Sequence, residues 1–463
     1  MINMTSRRQF LKILPYSFLL TSCKPLVFDT KKVVKYKLAA NKTSFNFNEK
    51  FKANLLLYNN TNPGPLLKAN VGDILKIDFK NNLDQPTSIH WHGIKNINKM
   101  DGVPYLTQDP VQPGETFSYE FPVNQSGTYW YHAHFESWKQ VAKGLYGPLV
   151  VNDKTDDLIE DDIVILADDW RLDKNYEIDE KSFGSLMDWS HAGRVGNWLT
   201  INGEKSPQYS IKANSRARLR FINASNARIL KFGSSLKNNN IIAIDGVTVN
   251  PMLVKNFTLA PGQRIDLLIN TIDLLKVDFF EISHTKKLKA FTLNVTKANN
   301  KTKDIANINF KSNWILPKLD NAKTISIRMQ GGAMGNLSKA NLDGVEKDFR
   351  TLATEDKKLW AFNKEIGSYE YLLAKVKLNQ VVILDVWNDT RWPHSMHLHG
   401  NHFFVKSQEF KGNNDFILRD TYLMQAGEIA KLIFLADNPG KWLFHCHMLE
   451  HAASGMVSYI DVV

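Results

Sequence analysis

Four short segments hold ten of the chain's 13 histidines: His90-Trp91-His92, His132-Ala133-His134, His394 to His399, and His445 to His451. Neutral imidazole is the commonest metal ligand among side chains, and a His-x-His pair occurs once in each segment. On an extended strand residues i and i+2 project to the same face, so each pair offers two rings to one side. The first pair and His397/His399 are 307 positions apart, and the second pair and His445/His447 are 313 apart. Two distant parts of the chain therefore carry equivalent pairs, and eight imidazoles can converge between them. Eight nitrogen donors exceed what one zinc ion takes and suit a cluster of three copper ions. One His-x-His is usually structural, whereas four in matched positions leave that explanation little room.

Cys446 alternates with His445 and His447 and so faces the other way on the same strand. There it can join His394, His451 and Met456, five residues beyond His451. Two histidines, a thiolate and a weak axial methionine are the donors of a blue-copper electron-transfer site. The two sites would share a backbone, which gives electrons a short covalent route from Cys446 to its neighbours.

The elements that must carry these residues recur three times. Lys68–Phe79 ends in the polar Asn81-Asn82, and similar segments run from Ile211 to Asn223 and from Ala374 to Asn388. The first two alternate apolar and charged residues with period two, which predicts half-buried strands. A turn and strand follow each: Pro113-Gly114-Glu115, Pro261-Gly262-Gln263 and Ala426-Gly427-Glu428, offset by 148 and 165 positions. Short strands bounded by Gly, Pro and Asn turns predict an all-β chain of three consecutive sandwich domains. The expected spans are 24–155, 156–300 and 301–463, with boundaries near Asp153–Asp157 and Ala298–Lys303. The ten histidines of the four segments fall only in the outer two.

A length of 463 residues accommodates three such domains. With 43% hydrophobic, 23% charged and 11% aromatic residues, the composition excludes a disordered chain. Residues 1–23 contain Arg7, Arg8 and Lys12, no acid, and a short apolar stretch, which reads as an export signal. Ser6-Arg7-Arg8-Gln9-Phe10-Leu11-Lys12 resembles the twin-arginine signal, and Leu20-Thr21-Ser22-Cys23 resembles a lipobox. Cys23 would then anchor a lipid in the periplasm or cell envelope and be unavailable to Cys446, so no disulfide is expected. Loss of residues 1–22 would lower the net charge from +11 to +8, a dispersed excess suited to a surface near anionic lipid. No nucleic-acid module is present in the sequence, and a monomer is expected.

The four histidine motifs, in this order and spacing, resemble the three-domain multicopper oxidases, the laccase-like family, over essentially the whole mature chain. Asp101-Gly102-Val103-Pro104 and Gln112-Pro113-Gly114-Glu115 look like family sequence too. The resemblance implies cupredoxin-like domains and four copper ions. Type 1 copper would be held by His394, Cys446, His451 and Met456, and type 2 by His90 and His397. One type 3 copper would take His92, His132 and His447, and the other His134, His399 and His445. It also implies one-electron oxidation of a reducing substrate at type 1 and four-electron reduction of O2 to water at the cluster. Asp101 matches a family aspartate that moves protons. Glu450 is a second candidate, weighed against a solvated or salt-bridged carboxylate. Some bacterial relatives carry an acid where this chain has Ala452, which weakens the match of the proton route.

The donor is open to three readings: a phenol or similar small reductant, a metal ion such as Cu(I) in copper tolerance, or none, in a copper-binding protein without turnover. Relatives that oxidise cuprous ion share a methionine-rich insert. Here only Met329 and Met334 of the 11 methionines lie together in the Gly-rich loop of the third domain, a spacing more typical of core or loop filler. A methionine axial ligand also favours a lower potential and easily oxidised donors. His191, His284 and His402 are expected to be ordinary surface or core residues, with His402 near enough to support the cluster.

Overall fold

The computed structural model describes residues 32–47, 52–154, 156–283, 286–297, 310, 314–407 and 416–463. The expected export signal with Cys23, His284 and the expected boundary at Ala298–Lys303 lie outside the described residues. Among the described residues no helix is long and apolar enough to cross a membrane.

The three sequence repeats fold alike. Ile74–Asn81, Arg216–Asn223 and Gln380–Asn388 each pair antiparallel with the strand that follows the Gly turn, at Thr116–Pro122, Arg264–Asn270 and Ile429–Ala436. Each also pairs parallel with the strand that opens its repeat, at Val33–Asn46, Asp161–Trp170 and Lys323–Gly331. A second sheet closes each core, as expected of sheets with one apolar face. In the first repeat Leu75, Ile77 and Phe79 of one sheet pack with Tyr129, Tyr131 and Leu149 of the other. The middle core brings together Leu219, Phe221, Phe279 and Phe291, and the third Leu384, Leu432, Phe444 and Ile460. The architecture is the expected all-β series of sandwiches.

One expectation fails. Ile74–Asn81 is half-buried, with Leu75, Ile77 and Phe79 inside and Asp78 and Lys80 exposed. Arg216–Asn223 is buried along its whole length. Its alternate arginines do not face water: Arg216 pairs with Glu160, and Arg218 and Arg220 pair with Asp162. Arg220 also donates to Thr128 of the first repeat. Period two marks which face a side chain takes, but a neighbouring repeat can cover the charged face when acids meet its cations.

Candidate metal centre

Every His-x-His pair sits on a strand or just past its end. His90 and His92 lie on Ile89–His92, paired antiparallel with Gly127–Ala133, so that His90 stands opposite His132. His394–Leu398 pairs antiparallel with Gly440–Cys446, which puts His397 opposite His445. Within the pairs the ring centroids are 4.9 to 5.9 Å apart, the same-face geometry the spacing required. Rings from the outer repeats then stack on one another, His90 on His399 and His92 on His397, both at 3.8 Å. His134, His399 and His445 bring one ring nitrogen each within 4.8 Å of the others. His447 closes the opposite side, 4.9 Å from His92 and 5.2 Å from His132. All eight are buried.

The hydrogen bonds decide which nitrogens remain free. Nδ1 of His90, His132, His397 and His445 donates to the carbonyls of Asp101, Ala133, Asp420 and Cys446 at 2.8 to 3.0 Å. Nδ1 of His399 donates to Asp101 Oδ2 at 2.8 Å. Nε2 of His90, His132 and His397, Nδ1 of His92 and both nitrogens of His447 are buried with no partner. Each such group costs roughly 1–3 kcal/mol, and their concentration at one point is explained by a cation that takes the lone pairs. His399 Nε2 and His445 Nε2 face each other at 3.1 Å, and with both Nδ1 atoms donating this contact is repulsive unless a cation is shared. Burial holds His92, His132, His134, His397, His399 and His447 well below the ordinary imidazole range and brings His445 to about 4. Neutral rings with free lone pairs are what metal ligation needs.

On the other face of Gly440–Cys446, Cys446 Sγ lies 3.6 Å from His394 Nδ1 and 3.7 Å from His451 Nδ1, and those nitrogens are 3.0 Å apart. The outer nitrogens are occupied: His394 Nε2 meets Thr390 Oγ1, and His451 Nε2 donates to the carbonyl of His191. His451 rides on the single turn Leu449–Ala453. Gly455, with φ +118°, lets the chain double back, since a Cβ there would collide with the Trp360 carbonyl. Met456 follows; it is buried in the same core as Cys446 and accepts the Cys446 N–H with its carbonyl. Burial pushes the Cys446 thiol up to about 12 and His451 down to about 4. Only a cation beside the sulfur would leave it as thiolate.

Asp101 lies where the sequence put it, fully buried, with Oδ2 on His399 and Oδ1 3.3 Å from His90 Nδ1. Glu450 is a correction: it is neither solvated nor salt-bridged among the described residues. It is fully buried, Asn226 Nδ2 donates to Oε1, and Oε2 has no partner. Burial raises its affinity for a proton. Ala452 is half-buried on the same turn. Met329 is core, as expected of filler, while Met334 is 70% exposed.

His402 is half-buried, with Nε2 3.7 Å from Oδ2 of Asp420, the residue that also touches His92. His191 is more than a bystander, because its carbonyl caps His451 and its ring packs on Trp392 at 5.0 Å. Sequence reasoning missed Asp420, which touches His92, and Tyr369, whose hydroxyl is 3.3 Å from His134 Nδ1. No spacing signal marks either.

Sequence profiles described as multicopper oxidase match residues 39–156, 161–307 and 343–463. The multicopper oxidase Mco of Staphylococcus haemolyticus is 31% identical over 92% of this chain and 88% of its own. The chain belongs to the multicopper oxidases. Laccase-1 of Cryptococcus neoformans is 27% identical over 89% of this chain and 77% of its own. Among solved structures, a multi-copper oxidase of Pseudomonas thermotolerans superposes with a TM-score of 0.81 at 27% identity, covering 94% of this chain and 100% of that one. A multicopper oxidase is an oxidoreductase that uses copper, O2 and a reducing substrate, so the reading as a binding protein without turnover gives way. The orphaned imidazole nitrogens and the Cys446 face fit copper as the resident metal.

Proposed function

We propose that this multicopper oxidase is laccase-like: it takes single electrons from a phenolic or similar small reductant and reduces O2 to water with four of them. The observation that carries this reading is the strand Gly440–Cys446 and its extension, which puts Cys446 in one donor set and His445 and His447 in the other. His394, Cys446, His451 and Met456 would hold type 1 copper. His90 and His397 would hold type 2, with His92, His132 and His447 on one type 3 copper and His134, His399 and His445 on the other. Bound copper, four ions per chain, would supply one-electron redox chemistry at the sulfur and O2 reduction among the imidazoles.

The chain's own groups do the rest. The peptide bonds on either side of Cys446 carry the electrons inward. Asp101 orients His399 and, through its free Oδ1, supplies protons as oxygen is reduced. We read Glu450 as a weaker candidate for the same task, since its contacts are with Asn226 and the turn at Gly193. The three domains would span 24–155, 156–300 and 301–463. The chain would be exported folded through its twin-arginine signal to the periplasm or cell envelope, tethered by lipidated Cys23, and act as a monomer.

A specific observation favours the second reading, a metal-ion oxidase. The segment that caps His451 carries Met187, 65% exposed, whose carbonyl meets His191 Nδ1. Ala333, next to exposed Met334, donates to the Ser190 carbonyl. Met187 and Met334 thus lie on segments whose backbones join at the cap of His451, and thioethers are soft donors of the kind that select Cu(I). Oxygen uptake by the copper-loaded protein with Cu(I), Fe(II) and a phenol panel separates the readings. Turnover with phenols unaffected by Met187→Ala and Met334→Ala supports the first, and Cu(I) turnover that both variants weaken supports the second.

A further inference from the structure

The middle repeat contributes no histidine to the cluster, yet one of its turns is built into it. Of the three equivalent Gly turns, a Cβ at Gly114 or Gly427 would meet nothing within 4 Å. At Gly262 it would stand 3.0 Å from ring atoms of both His447 and His92. The same turn anchors the third repeat: Pro261 O accepts from Ser395 Oγ at 2.8 Å, and Gln263 Nε2 donates to the Thr421 carbonyl at 3.1 Å. Arg264 completes it with a two-pronged pair to Asp420, Nη1 to Oδ1 at 2.8 Å and Nη2 to Oδ2 at 2.6 Å, both side chains buried. Its Nε donates to Thr128 O at 3.1 Å, so one guanidinium joins all three repeats. A Cβ at Gly93 would collide with this pair.

Asp420 in turn holds two stacked rings. Its Oδ1 lies 3.2 Å from His92 Nε2, and its carbonyl accepts from His397 Nδ1 at 2.8 Å. Thr421 Oγ1 is 3.1 Å from each of the same two nitrogens. A carboxylate paired with arginine only accepts, so His92 must carry its hydrogen on Nε2 and turn Nδ1 inward. His397 does the reverse, with Nδ1 occupied and Nε2 inward. Both inward nitrogens are buried without a partner.

We propose that Asp420, clamped by Arg264, is a positioning residue: its carboxylate sets which nitrogen of His92 faces the cluster, and the clamp holds its main-chain carbonyl on His397 Nδ1. The middle repeat, which supplies none of the clustered histidines, thereby controls copper binding between the other two. The proposal rests on the reading of these histidines as copper ligands. Loss of an outer hydrogen-bond partner of a ligating histidine weakens metal binding by about 10–100-fold, and a rigid Arg fork holds a carboxylate plane better than a lysine can.

The test loads metal-free wild type, Asp420→Ala, Asp420→Asn and Arg264→Lys with Cu(II) alone. It reads bound copper by elemental analysis, type 1 by blue absorption and type 2 by electron paramagnetic resonance. Asp420→Ala is expected to keep the blue absorption, bind cluster copper about 10–100-fold more weakly and alter the type 2 signal. Asp420→Asn, which retains an acceptor, should recover part of that loss. A merely structural role would lower blue absorption and cluster copper together, and that outcome overturns the proposal. So does a full copper complement with a wild-type type 2 signal in Asp420→Ala. If that variant fails to fold, an unaltered type 2 signal in both Asp420→Asn and Arg264→Lys overturns it, and an altered one supports it. Wild type that binds no cluster copper would defeat the underlying functional reading and the clamp with it, a result visible without any variant.

Discussion

The two donor sets lie on opposite faces of one strand and are assembled in different ways. Cys446, His394, His451 and Met456 all belong to the third repeat and are brought together by one strand pairing and one helical turn. The eight clustered imidazoles need two repeats to meet and a turn of the middle one to hold them. The first site is set by local structure and the second by how the repeats assemble. Changes near Cys446 should therefore act on one site alone, whereas changes at the repeat contacts should act on the cluster first.

The largest effect is expected from Cys446→Ser. It should reduce turnover to the level of free copper and abolish the blue absorption, while the eight histidines keep their copper by elemental analysis. Loss of copper from both sites together would break the comparison. Next is Asp101→Asn, which keeps an acceptor for His399 but cannot deliver a proton. Its kcat should fall by about 10²–10⁴-fold, measured by oxygen uptake, with blue absorption unchanged.

Stability of the metal-free protein sharpens the contrast at both ends of the pH scale. His445 is held near 4 by burial, against about 6.5 when unfolded. Below 6.5 the unfolded chain binds the proton and the folded one does not. Stability present above 6.5 is thus lost as pH falls toward 4, at about 1.4 kcal/mol per pH unit for each such ring. Cys446 works in the opposite direction. Its thiol, pushed up to about 12, keeps its proton in the fold, so stability present below about 8.5 is lost as pH rises toward 12. Thermal melts from pH 4 to 10 should show both flanks, and Cys446→Ser should remove only the alkaline one. The smallest effect is expected from Met456→Leu: the blue absorption survives and the type 1 potential rises in a redox titration, because the weak axial donor is lost.

Most of this site was legible in the sequence, because a two-residue period fixes the face of the eight paired histidines and places Cys446 opposite. The fold was legible for the same reason: the repeated Gly turns and alternating strands recur at domain-sized offsets. What stayed hidden depends on contacts between repeats. The arginines of Arg216–Asn223 read as a solvent face, and only the acids packed against them show otherwise. Asp420, His191 and the burial of Glu450 arise where distant segments meet, and no local pattern encodes that. Arg264 follows a Gly turn of a kind that recurs in all three repeats, yet only the middle turn stands against the clustered rings.

The claim that both sites work as one machine is tested most directly by stoichiometry. The copper-loaded protein is supplied with a limiting, counted amount of a one-electron donor that supports turnover, and oxygen uptake and hydrogen peroxide are measured together. One O2 is expected to be consumed for every four electrons, with no peroxide released. Two electrons per O2 with peroxide in solution, or no uptake by a protein shown to hold its copper, would contradict that claim.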